Sequence, residues 1–225
     1  MTLISGIDDA GRGPVIGPLV IAGVLLHDYQ IPVLAAMGVR DSKALPPRRR
    51  SILAKQIREV AVKCKIVELS PREIDDVVLN GRRLRRLNWL EARAMAEVIQ
   101  GLHPDVAYVD ASDVREKRFG EQIREMVSFD VAVVSEHHAD AKYPVVSAAS
   151  IIAKTHRDEV IAGLRKIYED FGSGYSSDSR TRQFLRDWFR DHGDQELPDF
   201  VRRSWKTIRK IKEEAEQTQA FSDEG

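Results

Sequence analysis

The sequence predicts an α/β protein with a mixed sheet, helices packed on that sheet, and a helical C-terminal appendage. Three observations support this class. Short aliphatic segments bounded by glycine, proline or acids indicate strands. Other segments repeat apolar residues every three or four positions, as amphipathic helices do. The strand-like segments come mainly early in the chain and the helical ones mainly late, so both kinds must bury their apolar faces in shared layers.

Five segments have the character of strands. The first two, Leu3–Asp8 and Leu19–Leu26, flank residues 10–18, which contain three glycines and two prolines and cannot continue a helix. These two strands are therefore predicted to pair through a tight connection. The remaining strand segments are Val62–Leu69, Val106–Asp110 and Val131–Ser135.

The helical patterns begin with Pro46–Val60, where proline is tolerated in the first turn. Ser70 followed by Glu73 is a capping-box pattern, so a short helix is predicted to start there. The later helices are predicted near Leu84–Leu102, from Val145 to about Phe171, over Thr181–His192 closed by Gly193, and over Phe200–Gln217.

Composition limits the cellular setting and the kind of partner. Lys+Arg and Asp+Glu both number 35 among the 225 residues, so the formal net charge is zero and an anionic partner must be held by a local patch. A single cysteine, Cys64, excludes an intrachain disulfide and favours a reducing, cytoplasmic location. The longest apolar stretch, residues 15–26, is interrupted by glycine and proline and is too short to cross a bilayer, so no membrane partner is expected.

Acidic residues follow three of the predicted strands. Asp8 ends the first, Asp110 ends the fourth, and Asp140 follows the fifth. Ligands of open α/β sheets gather beyond strand ends, so these acids can converge. Clustered carboxylates repel one another unless a divalent cation neutralises them, and an all-oxygen site favours Mg²⁺ or Mn²⁺. Each acid taken alone is equally consistent with an ordinary turn or cap residue.

Asp9 and the glycines after it allow two interpretations each. Asp9 points to the opposite side of a regular strand from Asp8 and joins the cluster only if the backbone turns, which the following glycines permit. Gly11-Arg12-Gly13 is either a tight turn or a backbone surface against which a sugar–phosphate chain can lie. A dinucleotide-binding fingerprint is disfavoured, because position 16 is Ile and the nearby prolines oppose a helix.

Several long motifs stand in one order along the chain. They are GIDDAGRGPVIGPLVIAGV (6–24), DSK (41–43), YVD (108–110), ADAKYPVVSAASIIAK (139–154) and GSGYSSDSRT (172–181). Together they resemble type 2 ribonuclease H, ribonuclease HII, over residues 6 to about 206. The last motif and RRSWKT (202–207) are most similar to archaeal members.

The resemblance implies a ribonuclease H-like mixed five-stranded sheet flanked by helices. It implies a catalytic domain over residues 1–172, a helical substrate-binding appendage over 173–217 and a flexible tail over 218–225. The implied activity is endonucleolytic hydrolysis of the RNA strand of RNA–DNA hybrids and cleavage 5′ to single ribonucleotides in duplex DNA, leaving 5′-phosphate and 3′-hydroxyl ends. A monomer is expected.

The family's catalytic acids match Asp8, Asp9, Asp110 and Asp140 in this sequence. The resemblance implies that the first three are ligands of Mg²⁺ or Mn²⁺, and that Asp140 completes a second metal position or helps to place the attacking water. The family motif reads Asp-Glu where this chain has Asp8-Asp9. The shorter acid is open to three interpretations: a natural variant with a compensating backbone shift, an altered metal preference, or an engineered or weakened enzyme. It also motivates a second functional hypothesis, a hybrid-binding module with little catalysis.

The resemblance also implies a set of substrate-binding residues. The Gly11-Arg12-Gly13 loop would recognise the ribose 2′-hydroxyl, largely through backbone groups. Tyr175 would stack on the deoxyribose past the junction, unless it is a partly buried turn residue. Lys43 and Lys154 would touch phosphates, unless they are solvated or ion-paired lysines.

Two basic runs and a C-terminal fragment bear on partners. Each run could grip a duplex backbone or form a solvated helix face. The runs are Arg82, Arg83, Arg85 and Arg86, and Arg202, Arg203, Lys206, Arg209, Lys210 and Lys212. Trp205, within the second run, is predicted to be a packing anchor rather than a base stacker. Residues 217–221 (QTQAF) contain only a fragment of the sliding-clamp motif of some archaeal relatives, which leaves that partner open.

Overall fold

The computed structural model describes residues 1–39, 45–80, 86–193 and 197–223, without the side chains of residues 86 and 216–223. Its strands are β1 (Leu3–Ala10), β2 (Leu19–His27), β3 (Lys63–Leu69), β4 (Val106–Asp110) and β5 (Ala132–Glu136). They form one five-stranded sheet in the order β3-β2-β1-β4-β5. The β1–β2 and β2–β3 pairs are antiparallel, and the β1–β4 and β4–β5 pairs are parallel. The predicted mixed sheet is confirmed.

Helices cover both faces of the sheet. They are α1 (Ile31–Ala36), α2 (Pro47–Val60), α3 (Pro71–Asn80), α4 (Arg86–Leu102), α5 (Glu116–Met126), α6 (Ala139–Lys142), α7 (Pro144–Ile167), α8 (Ser179–His192) and α9 (Lys206–Asp223). One face is covered by α7, with α2 packed against it, and the other by α4 and α5. A third apolar cluster joins α8 and α9 to the loop after β1. No helix within the described ranges combines the length and apolarity needed to span a bilayer.

Gly6 allows α7 to lie directly against β1. A Cβ atom built on Gly6 would stand 2.2 Å from the carbonyl carbon of Val145, in the first turn of α7. Backbone atoms cannot yield at that distance, so only glycine fits here. This close approach brings the first turns of α7 alongside the strand that carries Asp8 and Asp9.

The predicted helix signals are confirmed at two helices. At α3, the Ser70 N–H donates to the Glu73 carboxylate at 2.9 Å and the Glu73 N–H donates to the Ser70 hydroxyl at 3.2 Å, which completes the capping box. At α8, the Asp178 carboxylate accepts from the Arg180 N–H at 2.9 Å. Gly193, with φ of 72°, follows the last residue of α8.

The last helix begins later than the sequence pattern predicts, at Lys206 instead of Phe200. The backbone before it is committed to the loop that follows β1. The Gly17 N–H donates to the Phe200 carbonyl at 2.8 Å, and the Arg202 N–H donates to the Val15 carbonyl at 2.9 Å. These long-range bonds replace the helical ones that periodicity alone predicts.

Candidate active site

The four predicted acids lie near the C-terminal ends of strands β1 and β4. Asp8 and Asp9 are near the end of β1, and Asp110 is the last residue of the adjacent parallel strand β4. Asp140 lies in the first turn of α6. The N–H of the preceding residue, Ala139, donates to the Asp110 carboxylate at 2.9 Å and so ties α6 to the end of β4.

Burial and mutual repulsion make Asp8 and Asp9 difficult to ionise. Burial, followed by the charges of Asp9 and Asp110, raises the pKa of Asp8 well above its usual range, against hydrogen bonds from Ser150 and from the Asp9 N–H. Burial, followed by the charge of Glu91, raises the pKa of Asp9 to about 7. Such an excess of buried negative charge is what a divalent cation neutralises.

The donor chemistry fits a hard divalent cation, since the clustered groups are carboxylate oxygens. Among the residues that the structure describes, no three acid, histidine or cysteine side chains already surround one ion position. Binding of an ion by Asp8, Asp9 and Asp110 therefore requires rotation of their side chains. Ile7 and Val109 are register partners of the parallel strands β1 and β4, so the next residues, Asp8 and Asp110, lie side by side at the ends of these strands.

Glu91 is a further acid at this site that sequence reasoning missed. It is fully buried on α4, and its carboxylate accepts from the Arg12 guanidinium at 2.5 Å. Burial raises its pKa to about 7, although the charge of Arg12 opposes that shift. The signal in the sequence was a lone acid in the apolar stripe that includes Leu87 and Ala94.

The Arg12 side chain is turned toward α4. Besides Glu91, it donates to the Asn88 side-chain carbonyl at 2.8 Å, and Asn88 in turn donates to Asp113 at 2.8 Å. Asp113 also pairs with Arg118 at 2.5 Å. The guanidinium of Arg12 is thus held by partners on α4, although 35% of its side chain is exposed. Within the loop, Gly11 is buried and Gly13 is exposed.

The loop itself is built around two features of its backbone. Gly11 has a φ of +93°, and a Cβ atom on it would stand 2.5 Å from the Arg157 side chain. The carbonyl oxygens of the loop accept from two side chains of the segment before α9. Arg202 donates to Gly11 at 2.6 Å and to Arg12 at 3.0 Å, and the Trp205 indole N–H donates to Gly13 at 3.0 Å.

Arg202 and Trp205 therefore differ in part from expectation. Arg202 is fully buried, so it does not belong to a basic surface run as predicted. Its three backbone acceptors on the loop remove it from solvent. Trp205 packs against the apolar clusters, as predicted, and its ring also lies 4.8 Å from the Arg202 guanidinium.

The structure places Tyr175 beside the glycine loop. A Cβ atom on Gly13 would be 3.9 Å from the Tyr175 ring, and 42% of Tyr175 is exposed. The Arg157 guanidinium lies 5.3 Å from the ring centre. The neighbouring Gly174 carbonyl accepts from the N–H groups of residues 15 and 16, which fixes the two loops together.

Among the predicted lysines, Lys154 is close enough to Asp9 for its charge to lower the pKa of that acid. Lys43 lies outside the described residues, as does most of the basic run at 82–86. The structure thus brings together the four acids, the glycine loop, Tyr175 and Lys154. Sequence reasoning missed the buried residues Glu91 and Arg157, and it assigned the buried Arg202 to a surface run.

Comparison with known proteins gives one consistent similarity. A family described as Ribonuclease HII matches residues 5–208. Ribonuclease HII of Thermococcus sibiricus is 47% identical over 212 residues, which is 93% of this chain and 91% of that protein. The crystal structure of ribonuclease H2 from Pyrococcus horikoshii superposes with a TM-score of 0.87 at 41% identity, over 96% of this chain and 99% of that one. The ribonuclease HII of Archaeoglobus fulgidus, solved in complex with PCNA, gives 0.82 at 41% identity, over 92% and 96%.

Proposed function

Because the chain belongs to the ribonuclease HII family, it is a metal-dependent endoribonuclease of RNA–DNA hybrids, and we propose that it also cuts 5′ to single ribonucleotides in duplex DNA. The observation that carries this proposal is the position of the glycine loop, which directly follows the strand of Asp8 and Asp9. A backbone that can hydrogen-bond the hydroxyl of one ribose therefore lies beside the acids. The expected products carry 5′-phosphate and 3′-hydroxyl ends.

The proposed roles of the acids follow from their burial and repulsion. Asp8, Asp9 and Asp110 would hold Mg²⁺ or Mn²⁺, because carboxylate oxygens suit these ions. Asp140 would complete a second metal position or hold the attacking water. When bound, the metal supplies Lewis-acid activation of the phosphate and of water. The protein contributes a largely desolvated setting for these side chains, in which Asp8 is buried and Asp110 accepts from the Ala139 N–H.

The proposed substrate contacts surround these acids. N–H groups of the Gly11-Arg12-Gly13 loop would hydrogen-bond the ribose 2′-hydroxyl, which is the group that distinguishes RNA from DNA at one sugar. The exposed face of Tyr175 would stack on the next deoxyribose. Lys154 would contact a phosphate near Asp9, and Lys43 is retained as a phosphate contact from the sequence motif alone.

The test is cleavage of a DNA duplex that contains one ribonucleotide, with Mg²⁺ or Mn²⁺, compared with the same duplex in all-DNA form. We expect a single cut 5′ to the ribonucleotide and none in the all-DNA duplex. Asp8→Asn should abolish the cut, because the central carboxylate is lost. No cleavage with either metal would refute the single-ribonucleotide activity.

A second candidate function, hybrid binding with little catalysis, is favoured by one observation, the shorter acid at Asp9. It predicts tight binding of a hybrid duplex without turnover. The same assay separates the two functions when binding of the duplex is measured alongside the cut. Turnover with Mg²⁺ or Mn²⁺ rejects the binding-only alternative.

A sliding clamp is a further candidate partner, since the A. fulgidus relative was solved in complex with PCNA. The fragment at residues 217–221 lies in α9. Size-exclusion chromatography with an archaeal PCNA tests this partner, and Phe221→Ala should abolish any co-elution. The same column tests the expectation that the chain alone is a monomer.

A further inference from the structure

Arg202 is an unusual feature of the loop-supporting segment, because a fully buried guanidinium has no carboxylate among its hydrogen-bond acceptors. Its three bonds go to the carbonyls of Gly11, Arg12 and Gly17, at 2.6, 3.0 and 2.9 Å. Burial of a cation is costly unless its donors are satisfied. The planar guanidinium satisfies its donors here by hydrogen-bonding three separate carbonyl oxygens of a single loop.

Trp205, the residue directly before α9, binds the same loop. Its indole N–H donates to the Gly13 carbonyl at 3.0 Å, and its ring lies 4.8 Å from the Arg202 guanidinium. The carbonyls of Gly11, Arg12 and Gly13 are therefore all engaged by these two side chains. This pair lies about 190 residues along the chain from the loop that it supports.

Engaging the carbonyls fixes the direction of the N–H groups. In a trans peptide the C=O of one residue and the N–H of the next point in opposite directions across one plane. When the Gly11 and Arg12 carbonyls point at Arg202, the N–H groups of Arg12 and Gly13 point away from it. Within the described part of the chain, no hydrogen bond uses either of these two N–H groups.

From this geometry we propose that Arg202 and Trp205 are positioning residues that direct the N–H groups of Arg12 and Gly13 toward the ribose 2′-hydroxyl. The inference rests on the proposed recognition of a single ribonucleotide. It assigns specificity for ribose to the residues directly before α9, which contact the loop on the side of its carbonyl groups.

The experiment compares two variants with two matched controls. Trp205→Phe keeps an aromatic ring but removes the indole N–H together with part of the ring's contact area, and Arg202→Lys keeps the charge and removes the planar fork. Trp188→Phe makes the same change in an aromatic cluster away from the loop. Arg124→Lys makes the same change on α5, where the arginine side chain pairs with Asp130 at 2.9 Å.

Two quantities are measured for each protein: kcat/KM on the duplex with one ribonucleotide, and the inhibition constant of the all-DNA duplex. We expect Trp205→Phe to lower kcat/KM about three- to tenfold, the equivalent of one hydrogen bond. We expect a larger drop for Arg202→Lys. The inhibition constant should stay within about twofold of wild type, because only contacts to the 2′-hydroxyl are affected. Both controls should match wild type in both quantities.

Unchanged kcat/KM in both variants would overturn the inference, and so would a parallel weakening of all-DNA binding, which indicates general damage. If Arg202→Lys does not fold, Trp205→Phe alone decides. Absence of cleavage by the wild-type protein would instead refute the proposed function. Cleavage by wild type with unaltered variants refutes only the positioning role.

Discussion

At the scale of single residues, Asp9 is where the chain departs from the Asp-Glu pair of the motif that it resembles. Its carboxylate is one methylene shorter and shares its surroundings with buried Glu91 and with Asp110. A displacement of about 1 Å at a reacting centre can cost roughly a hundredfold in rate. The reach of Asp9 is therefore expected to limit turnover more than substrate binding.

We predict that Asp9→Glu raises kcat, by up to about a hundredfold, with little change in KM. The longer acid restores reach toward the ion while it keeps the charge. Steady-state kinetics on the duplex with one ribonucleotide measure the effect, and Asp9→Asn, which keeps the length and loses the charge, should reduce kcat instead. Equal kcat for wild type and Asp9→Glu would show that the shorter acid already reaches.

The raised pKa values predict how metal and pH together affect stability. Burial and Glu91 raise the pKa of Asp9 from 3.8 to about 7 in the folded chain. A carboxyl pKa that is higher in the folded than in the unfolded state means that the folded chain binds more protons between these two values. The free energy of unfolding without metal therefore falls as pH rises from about 4 to above 7.

A bound cation replaces the protons that are lost at higher pH. We therefore predict that Mg²⁺ raises Tm more at pH 8 than at pH 6, as measured by thermal unfolding with Mg²⁺ or EDTA. Asp8→Asn, which removes one of the repelling charges, should reduce this difference. Equal Mg²⁺-induced shifts at both pH values would contradict the assignment of these acids as ligands.

Residues of the site were predictable when a local motif marked them. The acids, the glycine loop and Tyr175 all lie within the long motifs that the sequence analysis identified. Glu91 and Arg202 were not predictable, since their partners are 79 and about 190 residues away. The apolar stripe around Glu91 indicates that this acid is buried, but nothing in the local sequence identifies the distant partners of Glu91 or of Arg202.

At the scale of elements, α7 lies directly against β1 at Gly6. We predict that Gly6→Ala destabilises the chain by about 3 kcal/mol or more, because the new Cβ atom would overlap the Val145 backbone. Denaturant unfolding measures the change. Gly163→Ala is the control: it lies within α7 with no atom within 4 Å, and it should be neutral or stabilising by up to about 1 kcal/mol.

The elements were predictable where local signals decide them. The capping box marked the start of α3 and Gly193 marked the end of α8, and the five strands were found within a few residues of their bounds. The start of α9 was predicted too early, because the backbones of Phe200 and Arg202 bond to the loop after β1 instead of continuing a helix. Apolar periodicity carries no information about such tertiary competition.

At the scale of the whole molecule, the first loop and the last helical segment are built as one unit. Backbone bonds join residues 15–17 to residues 174 and 200–202, and Asp75 on α3 holds the segment that follows. Its carboxylate accepts from the N–H groups of Arg203 and Ser204 at 2.7 and 2.9 Å, and from the Ser204 hydroxyl at 2.5 Å. The predicted division at residues 172 and 173 therefore crosses a dense hydrogen-bond network.

This connectivity predicts a single cooperative unfolding transition, shared by the sheet and the appendage. Asp75→Ala should lower the free energy of unfolding by about 2–4 kcal/mol, because it leaves three donors without their acceptor. Far-UV circular dichroism and tryptophan fluorescence should give the same transition midpoint, and the substitution should shift both midpoints equally. Asp76→Ala, at the exposed neighbouring position, should change stability by less than about 0.5 kcal/mol. Two separate transitions in the wild-type chain, with only one shifted by Asp75→Ala, would mean that the appendage folds independently of the sheet. The loop after β1 would then have to be held in place by contacts other than those of the appendage.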